Sequence, residues 1–137
     1  MPLSRLLYTS ECTIDGSPKE RSLLVRNLAE SSSASNRKAG VTGSLVFIEN
    51  NFIQVLEGRG PDIEDIFEHI CCDFRHRDVQ LIDFSPVRER LFEQWGMALI
   101  GDGTNDAGSI DEELLRIRSL VGVNAQAAVN EMRSLLN

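Results

Sequence analysis

The chain has 137 residues, a length at which a single hydrophobic core is sufficient, so several large domains are excluded. With 42% hydrophobic and 26% charged residues, the composition excludes a mainly disordered protein. Fourteen Lys and Arg against 21 Asp and Glu give a net charge of −7, which disfavours a nucleic-acid partner because both surfaces would be negative.

The first third of the chain predicts a strand followed by a long helix. Leu3 to Tyr8 is a short, mostly apolar run and predicts a buried first strand. Ser17, Pro18 and Glu20 form a capping-box start for a helix that ends near residues 36–40. The serine-rich stretch at 31–35 predicts a frayed helix end.

A β-hairpin and a second helix are predicted next. Val41 to Glu49 and Phe52 to Glu57 are apolar and partly β-branched, and Asn50-Asn51 suits a two-residue turn between them. Residues 58–61 are expected to break the second strand, and Pro61 is expected to begin the helix. The apolar stripe of that helix consists of Ile63, Ile66, Phe67 and Ile70.

The remaining chain predicts two strands and two helices. Strands are expected at 79–84 and 95–100, joined by a charged connection at 88–93. A linker rich in glycine and aspartate is expected at 101–108. Two short amphipathic helices, at 109–121 and 124–136, follow it.

The element order β-α-β-β-α-β-β-α-α predicts an α+β fold with a ferredoxin-like split βαβ core. In this fold the first and third strands lie side by side in the middle of the sheet. The first two helices would cover one face, and the C-terminal pair would pack on the opposite face. We divide the chain into a core at 1–100 and a linker with the helical pair at 101–137.

Two polar residues, Tyr8 and Gln54, interrupt the predicted central strands. A buried hydroxyl and a buried carboxamide each need a hydrogen-bond partner, and adjacent strands can bring the two together. The pair could be a structural device that fixes the strand register, or part of a ligand site.

Several motifs together resemble the BLUF domain, a small blue-light sensor that uses a flavin. In chain order they are Leu-Leu-Tyr at 6–8, Asn36, Val41-Thr42-Gly43, Gln54-Val-Leu-Glu-Gly58, Asp73-Phe-Arg-His76 and Trp95-Gly-Met97. Each motif is weak by itself, whereas all of them in this order are a specific signal.

The resemblance implies a flavin held without a covalent bond between the first two helices, usually FAD, with FMN as the other option. Tyr8 would donate an electron and a proton to the excited flavin, and Gln54 would lie between the phenol and the ring. Rotation or tautomerisation exchanges the donor and acceptor of a carboxamide, so one glutamine can present two hydrogen-bond patterns. Asn36 matches the asparagine that binds the amide edge of the ring, although asparagine there could also be a helix C-cap or turn residue.

Further polar positions beside the ring are implied on the second helix and just after it. His69 and Asp73 are four residues apart and are expected on one helix face. Two alternatives stay open: a metal site formed by His69, Cys72 and His76, or an ordinary solvated helix face. The candidate cofactor-binding residues in this segment are His69, Ile70, Asp73, Arg75 and His76.

The sequence contains no GxGxxG motif and no P-loop lysine, so a Rossmann-type phosphate site is absent. Candidate cations for the flavin phosphates are Arg37, Lys38, Arg75 and Arg77, each of which could equally be a solvated surface residue. The segment between Tyr8 and Asn36 is a few residues longer than is typical of the resemblance.

Trp95 and Met97 are two residues apart on the predicted last strand, which places them on the same face. By default they are core residues. In the family this pair is linked to how the light signal leaves the pocket, so both are candidate relay residues.

The expected function is blue-light sensing without enzymatic activity, because about 40 residues after Met97 are too few for a catalytic effector domain. The signal would pass through the last strand and the C-terminal helices to an oligomer interface or a protein partner. A flavin-free interaction module remains an alternative. An acylphosphatase-like hydrolase is weaker, because the loop after the first strand lacks the required arginine.

Three cysteines form no even disulfide framework, and no run is long enough to predict a membrane span. No charged lead followed by an apolar core marks a signal peptide at the N-terminus. A cytoplasmic protein with reduced thiols and no membrane partner is therefore expected.

Overall fold

The computed structural model describes residues 2–73, 75–102 and 109–136. Five strands form one mixed sheet in the order β4-β1-β3-β2-β5, with β5 parallel to β2 and the other neighbours antiparallel. The elements are β1 (Leu3–Cys12), α1 (Pro18–Lys38), β2 (Thr42–Ile48), β3 (Asn51–Arg59), α2 (Gly60–Cys71), β4 (His76–Val87), β5 (Ala98–Asp102), α3 (Ser109–Val121) and α4 (Ala125–Ser134). The predicted ferredoxin-like core, with β1 and β3 adjacent in the middle, is confirmed.

The start of α1 is the predicted capping box. The Ser17 side chain accepts a hydrogen bond from the Glu20 backbone N–H, and the Glu20 carboxylate accepts one from the Ser17 N–H. The predicted fraying of the serine tract is wrong, because α1 continues without interruption to Lys38. Packing of the helix on the sheet outweighs the modest helix propensity of serine.

The hairpin between β2 and β3 turns one residue earlier than predicted. Its two loop residues are Glu49 and Asn50, with φ angles of 49° and 67°. Positive φ at both positions is the geometry of the type I′ turn, which matches the twist of the flanking strands. Asn51 therefore already belongs to β3, paired with Ile48.

Several strand limits also differ from the predicted ones. β1 and β4 extend beyond their apolar segments because their polar ends still pair, as in the contact of Cys12 with His76. β3 ends within the predicted break at 58–61, at Arg59, and α2 begins at Gly60, one residue before the predicted Pro61. β5 begins three residues later than predicted and reaches Asp102, while the rest of the predicted linker, 103–108, lies outside the described residues.

Alternation along the central strands produces two cores. On one face, side chains of α1 and α2 such as Val25 and Ile63 pack on Leu6, Tyr8 and Leu56. On the other face, α3 and α4 pack on a second set of strand residues. That set, with its helical partners, includes Leu7, Val46, Ile53, Val55, Ile117, Val129 and Met132. The predicted placement of the two helix pairs is confirmed.

Within the described part of the chain, none of the helices combines the length and hydropathy needed to cross a membrane.

Candidate functional site

A cavity of about 430 Å³ lies between α1 and α2, above the sheet. Its volume is within the usual range for small-molecule sites. The cavity is lined by Leu28, Ser31, Ser32, Ser35, Asn36, Leu45, Gln54, Ile66, His69, Ile70, Asp73, Arg75 and His76. Asn36, Gln54 and all five candidates at and after the end of the second helix are therefore brought to one cavity.

The sequence analysis did not identify the serines of α1 as part of the site. Ser31, Ser32 and Ser35 recur at spacings of one, three and four along the helix and line the cavity. Their small side chains leave space where the apolar stripe of a fully packed helix would fill it. The sequence did contain a signal for this part of the cavity. It was the run of small residues at helical spacing, which leaves space between the first helix and the second.

Tyr8 and Gln54 are direct cross-strand partners in the β1–β3 pairing. Both side chains are buried, and the Tyr8 hydroxyl donates a hydrogen bond to Gln54 Oε1. Gln54 lines the cavity, whereas Tyr8 lies behind it and reaches the cavity through the glutamine. Strand alternation thus places the Tyr8 phenol next to the Gln54 carboxamide, and the carboxamide lies between the phenol and the cavity.

The segment 95–97 lies behind the cavity and is hydrogen-bonded to two of its lining residues. Gln54 Nε2 donates to Met97 Sδ at 3.4 Å, and Asn36 Nδ2 donates to the Gly96 carbonyl at 2.9 Å. Asn36 is buried within the last turns of α1 and bonds across to this segment, so it is not the helix C-cap, which is Ala39.

Gly96 is required by the close approach of the segment to α1. A Cβ atom at this position would lie 2.4 Å from the Ser33 carbonyl oxygen and 2.7 Å from Ser33 Oγ. No L side chain fits at those distances without displacing the backbone, so the absence of a side chain holds Gly96 O within reach of Asn36.

The prediction that Trp95 and Met97 share a face is wrong. Both residues precede β5, so the alternation of an extended strand does not apply to them. Met97 is buried in the core beneath α1 and α2, whereas Trp95 packs with the α3 and α4 side. The Arg133 guanidinium of α4 lies 5.1 Å from the centre of the Trp95 ring, a cation–π contact.

The residues at the end of α2 line the outer part of the cavity, but they do not share one helix face as predicted. The helix ends at Cys71, so Asp73 lies beyond it and reaches the cavity from the turn before β4. The Asp73 carboxylate accepts from Arg75 Nη2 at 2.5 Å, and His76 Nδ1 lies 2.8 Å from Ser10 Oγ.

Burial and charge shift three pKa values here. Burial, with smaller contributions from Cys71 and Asp73, raises the pKa of Tyr8 well above that of a free phenol, so the hydroxyl keeps its proton. The hydrogen bond from Arg75 lowers the pKa of Asp73. Burial also lowers the pKa of His76, which favours its neutral form.

Of the candidate phosphate-binding cations, only Arg75 is at the cavity. Arg37 donates to the Gln94 carbonyl at 3.0 Å, Arg77 pairs with Glu11, and Lys38 is exposed at the end of α1. Of the histidines in the metal alternative, His69 Nδ1 lies 2.7 Å from the Asp65 carbonyl and His76 Nδ1 lies 2.8 Å from Ser10 Oγ. Among the described residues, no group of three or more His, Cys, Asp or Glu is arranged to hold a metal ion.

The lining of the cavity fits a flavin. The ring of a flavin has apolar faces and one polar edge with both donors and acceptors. The cavity matches this with aliphatic walls, including Leu28, Leu45 and Ile70, and with two buried carboxamides, Asn36 and Gln54. Carboxamides are suited to such an edge because each has a donor and an acceptor.

Comparisons with known proteins agree with this geometry. The profile of the BLUF family, described as sensors of blue-light using FAD, matches residues 3–98. The photoactivated adenylate cyclase subunit beta of Euglena gracilis is 31% identical over 96 residues, which are 69% of this chain and 11% of that protein. The blue light- and temperature-regulated antirepressor BluF of Escherichia coli is 31% identical over 99 residues, 71% of this chain and 23% of that protein.

Two of the solved structures match over nearly the full length of both chains. The photo-activated state of BlsA has 26% identity and a TM-score of 0.74, covering 96% of this chain and 94% of that one. The dark state of BlrB, a BLUF protein, has 24% identity and a TM-score of 0.77, covering 98% of both chains, and supports the fold.

The chain spans less than a quarter of the curated relatives described above, so cyclase and antirepressor activities are properties of those longer proteins. The part shared with them is the segment that matches the family profile, and that family is one of sensors. The chain therefore belongs to the BLUF family, the flavin-using sensors of blue light.

Proposed function

We propose that this domain senses blue light through FAD held between α1 and α2, with Tyr8 and Gln54 as the photochemical pair. The observation that carries the proposal is the hydrogen bond from the buried Tyr8 hydroxyl to a glutamine that lines the cavity. A bound flavin would supply the blue-light absorption and an excited state able to accept an electron.

Tyr8 is suited to donate an electron and a proton together. Its hydroxyl is buried and its raised pKa keeps it neutral in darkness, so the proton is available when the electron leaves. The hydrogen bond to Gln54 Oε1 gives that proton a defined direction, toward the cavity.

Gln54 is suited to act as the reversible element. In the present arrangement Oε1 accepts from Tyr8, and Nε2 donates to the thioether of Met97. A thioether is only a weak acceptor, so reversing the Gln54 amide would cost little free energy through loss of the hydrogen bond to Met97. The same covalent structure can therefore present two hydrogen-bond patterns to a ligand.

Asn36 and Arg75 would hold the cofactor in place. The Asn36 amide nitrogen is used by the Gly96 carbonyl, which leaves its oxygen to accept from the imide edge of the ring. Arg75 is the candidate for the phosphates, since its exposed guanidinium is at the cavity. The family description favours FAD, although one solved relative, BlrP1 of Klebsiella pneumoniae, is described with FMN.

The signal would leave through Trp95 and α4. Met97 contacts Gln54 on one side of the sheet, and two residues earlier Trp95 contacts Arg133 on the other. A change at Gln54 can thereby alter the packing of α4 and the affinity for a protein partner or a second copy of the chain. Comparing oligomer size and partner binding in darkness and under blue light, for the native chain and Arg133→Met, tests this route; equal behaviour in light and darkness would contradict it.

The flavin is tested first. Purified protein should be yellow, and its spectrum should shift slightly to the red under blue light and recover in darkness. Mass analysis of the flavin released by denaturation should identify FAD. Colourless protein that takes up neither FAD nor FMN would contradict the proposal.

The role of Gln54 is tested with a matched pair of glutamine substitutions. Gln54→Leu should abolish the red shift, because leucine cannot exchange donor and acceptor. Gln80→Leu, at an exposed position on β4, should leave the shift unchanged. A normal shift in Gln54→Leu would contradict the assigned role.

We also propose a cytoplasmic location. It is supported by three free cysteines, two of which, Cys71 and Cys72, are exposed, as is usual in a reducing compartment. Fractionation of cells should recover the protein with cytoplasmic markers, and recovery in a membrane or secreted fraction would contradict this.

A further inference from the structure

We infer that Glu57 is a positioning residue that fixes the segment Trp95–Met97 against the cavity, through hydrogen bonds to the connection between β4 and β5. This inference rests on the proposed flavin function only for its spectroscopic consequence. The hydrogen bonds that support it all join residues that the structure describes.

Glu57 is fully buried on β3, and its carboxylate faces away from the cavity. One oxygen accepts from Arg5 Nε at 2.7 Å, which pairs the charge. The same carboxylate accepts from the backbone N–H of Leu91 at 3.0 Å and of Phe92 at 2.8 Å. A single side chain thus holds two consecutive amides of an irregular segment.

From Phe92 a series of hydrogen bonds continues to the cavity. Trp95 N–H donates to the Phe92 carbonyl at 3.1 Å, and the Trp95 carbonyl accepts from Gly43 N–H at 3.0 Å. The next two residues make the contacts already described, from Gly96 to Asn36 and from Met97 to Gln54. The position of the Met97 sulfur therefore depends on how firmly the segment is held at Glu57.

Arg90 strengthens the same attachment. Its guanidinium donates to the Glu57 carbonyl at 3.2 Å and to the Gly40 carbonyl at 2.7 Å. The connection is therefore fixed both by the Glu57 carboxylate and by an arginine of its own.

The chemistry of a carboxylate explains why glutamate is needed here. Two oxygens with several lone pairs can accept from two amides and a guanidinium at once, which a carboxamide, with its single acceptor oxygen, cannot do. A buried ion pair contributes little net stability compared with apolar side chains of similar volume. Its contribution is therefore conformational, because it selects one path for the chain between β4 and β5.

The test removes the ion pair without leaving an unpaired buried charge. Arg5→Met/Glu57→Leu replaces both members with apolar side chains of similar size. The matched control is Arg116→Met/Glu131→Leu, the same exchange in an exposed pair that joins α3 to α4. Both variants are compared with the native chain by hydrogen exchange and by flavin spectroscopy.

Hydrogen exchange needs no flavin. In the Glu57 variant the Gly43 and Trp95 amides should exchange about tenfold faster, as expected for the loss of a typical hydrogen bond. With flavin bound, the rate of dark recovery should change by about threefold or more, because Glu57 and Gln54 would be coupled through their shared contacts with the segment Trp95–Met97. The control variant should match the native chain in both measurements.

Native exchange rates in Arg5→Met/Glu57→Leu would overturn the inference, as would an equal change in the control. Should the double variant fail to fold, Glu57→Gln decides the matter by faster exchange of the Leu91 amide. Failure of both to fold would also overturn it, because Glu57 would then support the whole core. Absence of a light response in the native chain would refute the proposed function and leave the exchange test valid.

Discussion

The two faces of the sheet bury polar groups of different kinds. On the α1 and α2 side they are the neutral carboxamides of Asn36 and Gln54, at a cavity of about 430 Å³. On the α3 and α4 side the buried polar groups are a charged pair, Arg5 and Glu57, in which Arg5 Nε lies 2.7 Å from Glu57 Oε2. An amide can reverse its hydrogen bonds, whereas a buried ion pair cannot reverse and is expensive to break. One face is therefore suited to change and the other to hold the chain in place.

The largest expected effect follows from Tyr8→Phe on the cavity side. Phenylalanine keeps the ring and most of the packing but has no hydroxyl to donate to Gln54. We expect the flavin to remain bound and the normal red shift to be lost completely. The light-minus-dark absorption spectrum measures this, and a shift of native size would remove Tyr8 from the mechanism.

Ile117→Ala tests the opposite face. Ile117 is fully buried in the cluster formed with α3 and α4, so its truncation should lower the free energy of unfolding by about 2–5 kcal/mol. The light-minus-dark spectrum of the folded protein should not change. Leu115→Ala, on the exposed side of the same helix, is the control and should lose much less stability in urea titrations. A spectral change in Ile117→Ala would show that the two faces are not separable.

Ser32→Leu is expected to fill part of the cavity. Leucine in place of a lining serine should weaken flavin binding about tenfold or more, measured by fluorescence titration. Folding should be unaffected or improved, since leucine has the higher helix propensity. Ala34→Leu introduces the same side chain at an exposed position of the same helix, away from the cavity lining, and should bind flavin normally. Native affinity in Ser32→Leu would place the cofactor elsewhere.

The smallest expected effect is a dependence of stability on pH through His76. Burial lowers its pKa, so below the ordinary value of 6.5 the unfolded chain binds a proton that the folded chain does not. The free energy of unfolding should therefore decline as the pH falls from 6.5 toward the folded pKa, and level off above 6.5. The lowered pKa of Asp73 acts in the same direction, but only below its ordinary value of 3.8. In urea titrations His76→Gln should flatten the slope, and an unchanged slope would contradict this assignment.

Alternation along extended strands was sufficient to predict the Tyr8 and Gln54 pairing, because β1 and β3 lie side by side and pair with each other in a continuous register. The cavity residues of α2 and of the turn after it were reached through the family resemblance, and their roles remain predictions. The family resemblance also placed Asn36 at the site, where the sequence pattern alone left a helix cap equally open.

Two features depended on tertiary contacts that no local pattern contains. Trp95 and Met97 point to opposite sides because the chain at Gly96 runs against Ser33 of α1 before the strand begins. The serine tract is helical because α1 packs on the sheet through residues such as Val25 and Leu28 and continues unbroken through the tract, although serine by itself favours helix ends. Close backbone approach and packing of small residues therefore set the limits of what the sequence predicts here.

β3 has a hydrogen-bonded neighbour along both of its edges, and it bears Gln54 and Glu57 on opposite faces. Deleting or inserting one residue between these two positions would rotate one of them onto the wrong side and disrupt both ladders. A change in chain length is consequently expected to be tolerated better in a loop such as 13–17 than within β3, and grafts of this domain onto other proteins must keep β3 intact.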